Sequence, residues 1–132
     1  MKQETHNQID ARLCGSPVEI SPGRAVVELG LLSEMAVDER GLVHGGFVFG
    51  LADYAAMLAV NHPNVVLGAT EMRFLKPVVI GDMLVAEARL DSEQGKKRFV
   101  KVEVRRGGEV VAVASCTCFV PDRHVLEPRV EA

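Results

Sequence analysis

Tryptophan is missing from this 132-residue chain and tyrosine occurs once, so aromatic side chains make up only 5% of it. Any pocket is therefore expected to be lined by aliphatic side chains, with Met57, Phe47, Phe49 and Phe74 as the larger candidates. Cysteine is scarce and odd in number, and Cys116 and Cys118 have neither zinc-ribbon nor redox-motif spacing. On a strand those two point to one face, which suits two small buried residues better than a site. Positive charge is not in surplus either. A formal net charge of -3 offers no broad attraction for nucleic acid or an anionic membrane, so an anionic ligand needs a local basic cluster. The opening MKQETHNQID has no apolar stretch behind its single lysine, so no signal peptide is expected and the chain reads as cytoplasmic. No spacing of His, Cys and carboxylates suggests a metal, and no Gly-x-Ser-x-Gly elbow marks a serine hydrolase.

What is present is ordinary for a folded chain: 48% hydrophobic and 25% charged residues in a length that suits one domain, residues 1–132, with a core over about 17–121 and ends that are short helix or loose. Residues 23–32 put Val27, Leu29 and Leu31 on one face, as a half-buried strand does. The Ser-Pro-Gly before them can turn an earlier short strand around. Segments 65–77, 82–92, 97–106 and 109–120 have strand character, the last three alternating well. Gly107-Gly108 reads as a two-residue hairpin turn and the segment around Gly95 as a slightly longer one. The expected class is α+β: a strand, a helix, then four strands in a largely antiparallel sheet. Ala86 and Ala88, with Ala112, Ala114, Cys116 and Cys118, would let that sheet curl closely around the helix.

The helix is expected in residues 45–60, where Asp53 is the only charged side chain. Its stretch is too short and too polar at Asp53 to span a membrane, which takes about 20 apolar residues. A helix apolar on nearly every side is one surrounded by protein. Aspartate is a poor helix-interior residue, and burying it unpaired costs several kcal/mol or forces it neutral. At helical spacing its face carries Gly46, Phe49, Gly50, Met57 and Val60. Glycine in a helix interior costs about 1 kcal/mol against alanine, so the glycines suggest close approach by a second helix, a second subunit or a ligand. The other reading makes Asp53 the N-cap of a shorter helix. The His44-Gly45-Gly46 stretch leaves backbone N–H groups at a positive dipole end, where an anion or developing oxyanion can bind. Of the other histidines, His62 beside Pro63 reads as a helix C-terminal residue, and His6 and His124 lie in poorly patterned ends.

The stretch VHGGFVFGLADYAA, with an acidic residue nine positions after the histidine, followed by RFLKPVVIGDMLVAEARL and GKKRFVKVEVRRGGEVVAVASCTCFV, resembles the hotdog-fold acyl-CoA thioesterases of the phenylacetyl-CoA thioesterase-like (PaaI-like) branch. The resemblance covers about residues 20–120. It implies a long helix wrapped by a curved antiparallel sheet, a homodimer with a continuous sheet or a homotetramer, and acyl-CoA or acyl-carrier-protein thioesters as substrates with no cofactor. By position, the Gly45 N–H, with or without that of Gly46, would polarise the thioester carbonyl, Asp53 would attack it or activate a water, and His44 would support the loop or the carbonyl. Asp38 stands where many members of the branch have an asparagine, either as a changed site residue or as a solvated loop acid. Lys97 and Arg98, in Gly-Lys-Lys-Arg, are candidates for the CoA phosphates, with a solvated hairpin tip as the competing reading. A non-catalytic acyl-CoA-binding sensor is the alternative function. Its DNA-binding segment would have to fit in the 20 or so residues before the first strand, which are too few and not basic enough.

Overall fold

The computed structural model describes residues 1–128; the end of the expected C-terminal tail, residues 129–132, lies outside the described residues. A single turn, α1 (Ala11–Cys14), leads into β1 (Ser16–Ser21) and β2 (Arg24–Gly30). A short 3-10 turn (Ser33–Met35) precedes the long helix α2 (Gly45–Val60), and β3 (Val66–Phe74), β4 (Met83–Gln94), β5 (Lys97–Arg106) and β6 (Glu109–Phe119) complete the chain. The strands form one sheet of order β1-β2-β4-β5-β6-β3 in which all neighbours are antiparallel. This is the α+β arrangement expected, one helix wrapped by one sheet.

Registry explains how a single helix serves six strands. Across the inner face, Val27 lies opposite Ala86, Ala86 opposite Val104, and Val104 opposite Ala112. The next row runs Ala25, Ala88, Val102, Ala114. Alanines recur on β4 and β6 under the helix, and every one of these side chains is buried. Nine residues of α2 are buried too, among them Ala52, Ala55, Ala56 and Ala59. Small groups on both surfaces allow close approach, and the valines fill the remaining space as close packing requires.

Two local readings change. The β4–β5 turn consists of Gly95 and Lys96 alone, because β4 continues to Gln94, so it is as tight as the Gly107-Gly108 turn. Helix α2 ends before His62: Asn61 is its C-cap, in the left-handed conformation with φ +51°. His62 instead closes the following turn, its Nδ1 accepting from the Asn64 N–H at 3.0 Å.

Candidate active site

Helix α2 starts at the His-Gly-Gly turn, and His44 supplies the cap that Ser, Asp or Asn usually provides. Its backbone is extended and its Nδ1 accepts from the Gly46 N–H at 2.7 Å. A Cβ on Gly46 would sit 2.7 Å from that nitrogen, so glycine is what lets the ring fold over the helix end. The His44 N–H donates to the Met35 carbonyl at 3.1 Å, tying the cap to the 3-10 turn. Of the two N–H groups expected as oxyanion donors, that of Gly46 is therefore already engaged. The Gly45 N–H has no acceptor among the described residues. Beside Gly45 lies the Phe74 ring, 3.4 Å from where a Cβ would be. The two residues line an apolar cavity of about 140 Å³ together with Leu42, Val48, Val78 and Lys76.

Asp53 sits in the middle of the continuous helix, which excludes the reading of it as an N-cap. Its Oδ1 is buried and has no hydrogen-bond partner among the described residues. Burial pushes the carboxyl above the usual range, and the nearby His6 charge offsets this in part. Gly50, one turn before it, has nothing within 4 Å of an added Cβ. The glycines thus have separate reasons: Gly46 admits the His44 ring, whereas Gly50 opens the helix face near Asp53 and nothing among the described residues fills the opening.

The other expected site residues fall in several places. Phe49, on the Asp53 face, is half-buried. Met57, expected to line an acyl pocket, is in the core with 1% exposure and is shielded from any ligand by this chain itself. Asp38 is an exposed loop residue whose Oδ1 accepts from the N–H groups of Arg40 at 3.0 Å and Leu42 at 3.2 Å. At the β4–β5 turn, Lys97 Nζ stands 5.8 Å above the Phe119 ring, and Arg98 Nε lies 3.5 Å from Glu93. Lys97 pairs with Phe119, and Phe119 with Val66 at the start of β3. Both cations are therefore at the end of the sheet away from Gly45, which packs on Phe74 at the end of β3.

His6 is the residue near Asp53 that sequence reasoning passed over. No periodicity, motif or spacing in the N-terminal segment signals it, because its ring approaches α2 across 48 residues of sequence, its centre 6.3 Å from that of Tyr54.

The sequence profile of the thioesterase superfamily matches residues 40–113, a span holding the His-Gly-Gly turn and all of α2. Among solved structures, the chain is similar to protein PH1136 of Pyrococcus horikoshii, with 54% identity, a TM-score of 0.95, and coverage of 96% of this chain and 98% of that one. It is also similar to the PaaI protein from the phenylacetic acid degradation operon of E. coli, with 26% identity, a TM-score of 0.76, and coverage of 83% and 80%. A curated relative, methylthioribose-1-phosphate isomerase of Aquifex aeolicus, is 49% identical over 111 residues, 84% of this chain; the chain spans 24% of that relative's length. No helix among the described residues is long and apolar enough to cross a membrane.

Proposed function

Since the chain belongs to the thioesterase superfamily of hotdog folds, we propose that it hydrolyses an acyl-CoA thioester to a carboxylic acid and CoA, at a site shared by two subunits. The observation that carries this reading is the buried, unpartnered Oδ1 of Asp53 on a helix face left open at Gly50. A folded chain keeps a group in that state where it has work to do, because desolvation without a partner costs stability and raises basicity together.

Asp53 acts as general base or as nucleophile. In the first route it takes a proton from water, which attacks the carbonyl carbon, and returns the proton to the sulfur as the C–S bond breaks. In the second its own oxygen attacks, CoA leaves as the thiolate, and water hydrolyses the resulting anhydride to the acid and the free Asp53 carboxylate, releasing the proton that the thiolate takes up. Both routes build negative charge on the carbonyl oxygen, and the free Gly45 N–H at the positive end of α2 is suited to receive it.

These two groups cannot serve one carbonyl within a chain. They are eight residues apart on one continuous helix, which is about 12 Å along its axis. A second subunit resolves the separation. β3 is a nine-residue sheet edge without proline, whereas the other edge, β1, has six residues including Pro17, which cannot donate to a ladder. Two-fold pairing along β3 runs antiparallel, so the Phe74 end beside Gly45 meets the Val66 end of the partner. That arrangement also carries the partner's Lys97 end toward Gly45, where cations would be useful for CoA phosphates.

The test is a panel of short, long and aromatic acyl-CoAs assayed by release of free thiol, run in parallel with the Asp53→Asn variant. Hydrolysis of at least one thioester, lost in the variant, is expected. Binding of acyl-CoA with no turnover of any member would leave the non-catalytic sensor reading in its place.

A further inference from the structure

The apolar cavity of about 140 Å³ that Gly45 lines has an open side and a closed side. Leu42, Phe74 and Lys76 are exposed and form its mouth, whereas Val48, Val78 and Val111 form its walls, none more than 5% exposed. The backbone around it is already bonded. The Val111 carbonyl accepts from the N–H groups of Leu75 at 2.8 Å and Lys76 at 3.2 Å, and the Val78 carbonyl accepts from that of Val43 at 3.0 Å. Arg106, the last residue of β5, holds the stretch between β3 and β4 in place. Its Nη1 donates to the Pro77 carbonyl and to Asp82 Oδ2, each at 3.0 Å, and the same carboxylate oxygen accepts from the Val79 N–H at 3.0 Å. The cavity therefore has apolar walls and a fixed roof.

We propose that this cavity receives the acyl group of the substrate and sets its length, admitting chains of up to about six carbons beyond the thioester carbonyl, since an apolar cavity of about 150 Å³ holds one benzene-sized guest. The inference rests on the thioester hydrolysis proposed above and names the substrate as a short-chain acyl-CoA. A carbonyl whose oxygen lies on the Gly45 N–H has two substituents to place, the acyl chain and the sulfur with its pantetheine arm. The arm carries amides and leads to phosphates, and amides buried among apolar walls go unpaired, which costs binding. It leaves through the mouth, toward the side where two-fold pairing brings the partner's Lys97 end. The acyl chain takes the cavity, where each methylene removed from water raises kcat/KM by about fourfold. Length is limited because the walls do not yield. Val48 is fixed on α2, Val111 on β6 and Val78 under the Arg106 clamp, so a longer chain has to turn back into the mouth or force packed groups apart. A larger hollow on the sheet, of about 330 Å³, is bordered by the charged side chains of Glu71, Arg73, Lys101 and Glu103 and does not suit an acyl chain.

The test is kcat/KM of the full chain on acetyl-, butanoyl-, hexanoyl-, octanoyl- and dodecanoyl-CoA. From acetyl to hexanoyl it should rise by about fourfold per methylene, and from hexanoyl to octanoyl it should fall by at least about tenfold, as overfilling a packed site does. A value that keeps rising to dodecanoyl-CoA, or that ignores length, overturns the proposal. Two variants should move the limit in opposite directions. Val78→Ala gives room for about two more carbons and should make octanoyl-CoA the best substrate, whereas Val48→Phe should make butanoyl-CoA or acetyl-CoA the best. An equal loss across the series in both variants is what a damaged fold produces, and it overturns the proposal. A further readout needs neither turnover nor an altered wall. In Asp53→Asn, hexanoyl-CoA should shift the methyl NMR signals of Val48, Val78 and Val111, and CoA alone should not; unmoved methyls overturn the proposal. Hydrolysis of no acyl-CoA by the wild type would end both this inference and the function it rests on, whereas turnover that is best with dodecanoyl-CoA ends this inference alone.

Discussion

Asp53→Asn separates the chemical value of the carboxylate from its structural cost. Losing a base or nucleophile should lower the rate on the best acyl-CoA by at least about a hundredfold. Stability should move the other way. Burial raises the folded-state pKa of Asp53, so the folded chain holds its proton at pH values where the unfolded chain, with a pKa of about 4, has released it. Stability from this group is therefore complete below about pH 4 and is lost as pH rises through the folded value. The amide escapes that loss. Its melting temperature should exceed that of wild type by about 3 °C at pH 7, with the difference gone near pH 4. An equal gain at both pH values, measured by scanning calorimetry, would mean that charge is not its source.

Among the elements, the N-terminal segment depends on the end of α2 through one side chain. Asn61 is both the left-handed C-cap and the double anchor of Lys2 and Glu4. Asn61→Gly keeps the conformation, which glycine adopts freely, and removes both ties. Amides of the first ten residues should lose protection in hydrogen exchange while β4 and β5 keep theirs, with global stability lowered by less than about 1.5 kcal/mol. Loss of protection in the central strands would show that the segment supports the whole fold. The contrast between these regions also explains what could be read from sequence. Strands β4, β5 and β6 alternate because one face packs on the helix, and α2 lacks charge because protein surrounds it, so both leave a periodic trace. The last residues of β4 pair with β5 beyond the core, where Glu93 and Gln94 are exposed. No alternation marked its true end, and the turn was expected to be longer. The His44 cap was legible only in part: the motif pointed to the helix start, but which N–H its ring would occupy depends on a side-chain torsion. His6 left no trace, since a single approach between distant residues, here to the Tyr54 ring, has no period.

For the molecule as a whole, the unpaired edge of β3 predicts at least a dimer, and the separation of Gly45 from Asp53 predicts that each site draws on both chains. Complementation tests this. Pro is acceptable at the first helical position, and His44 already has the extended backbone a following proline requires, so Gly45→Pro should remove the oxyanion N–H with little else. Gly45→Pro and Asp53→Ala should each be inactive alone. In a mixed dimer, a shared arrangement leaves one site with both groups and the other with neither. Random mixtures should recover about a quarter of wild-type activity, with half the dimers mixed and half their sites intact. Mixed dimers seen by mass spectrometry without recovery would place both groups of each site in one chain. The open strand has a further consequence for activity assayed in dilute solution. If each site is shared as proposed, a subunit that has left its partner would keep its helix and sheet but lose half of each site, so catalysis should end at dissociation although folding should not. Below the dissociation constant, initial rate should scale with the square of protein concentration and above it linearly, which makes the abundance of the chain itself a control on its turnover.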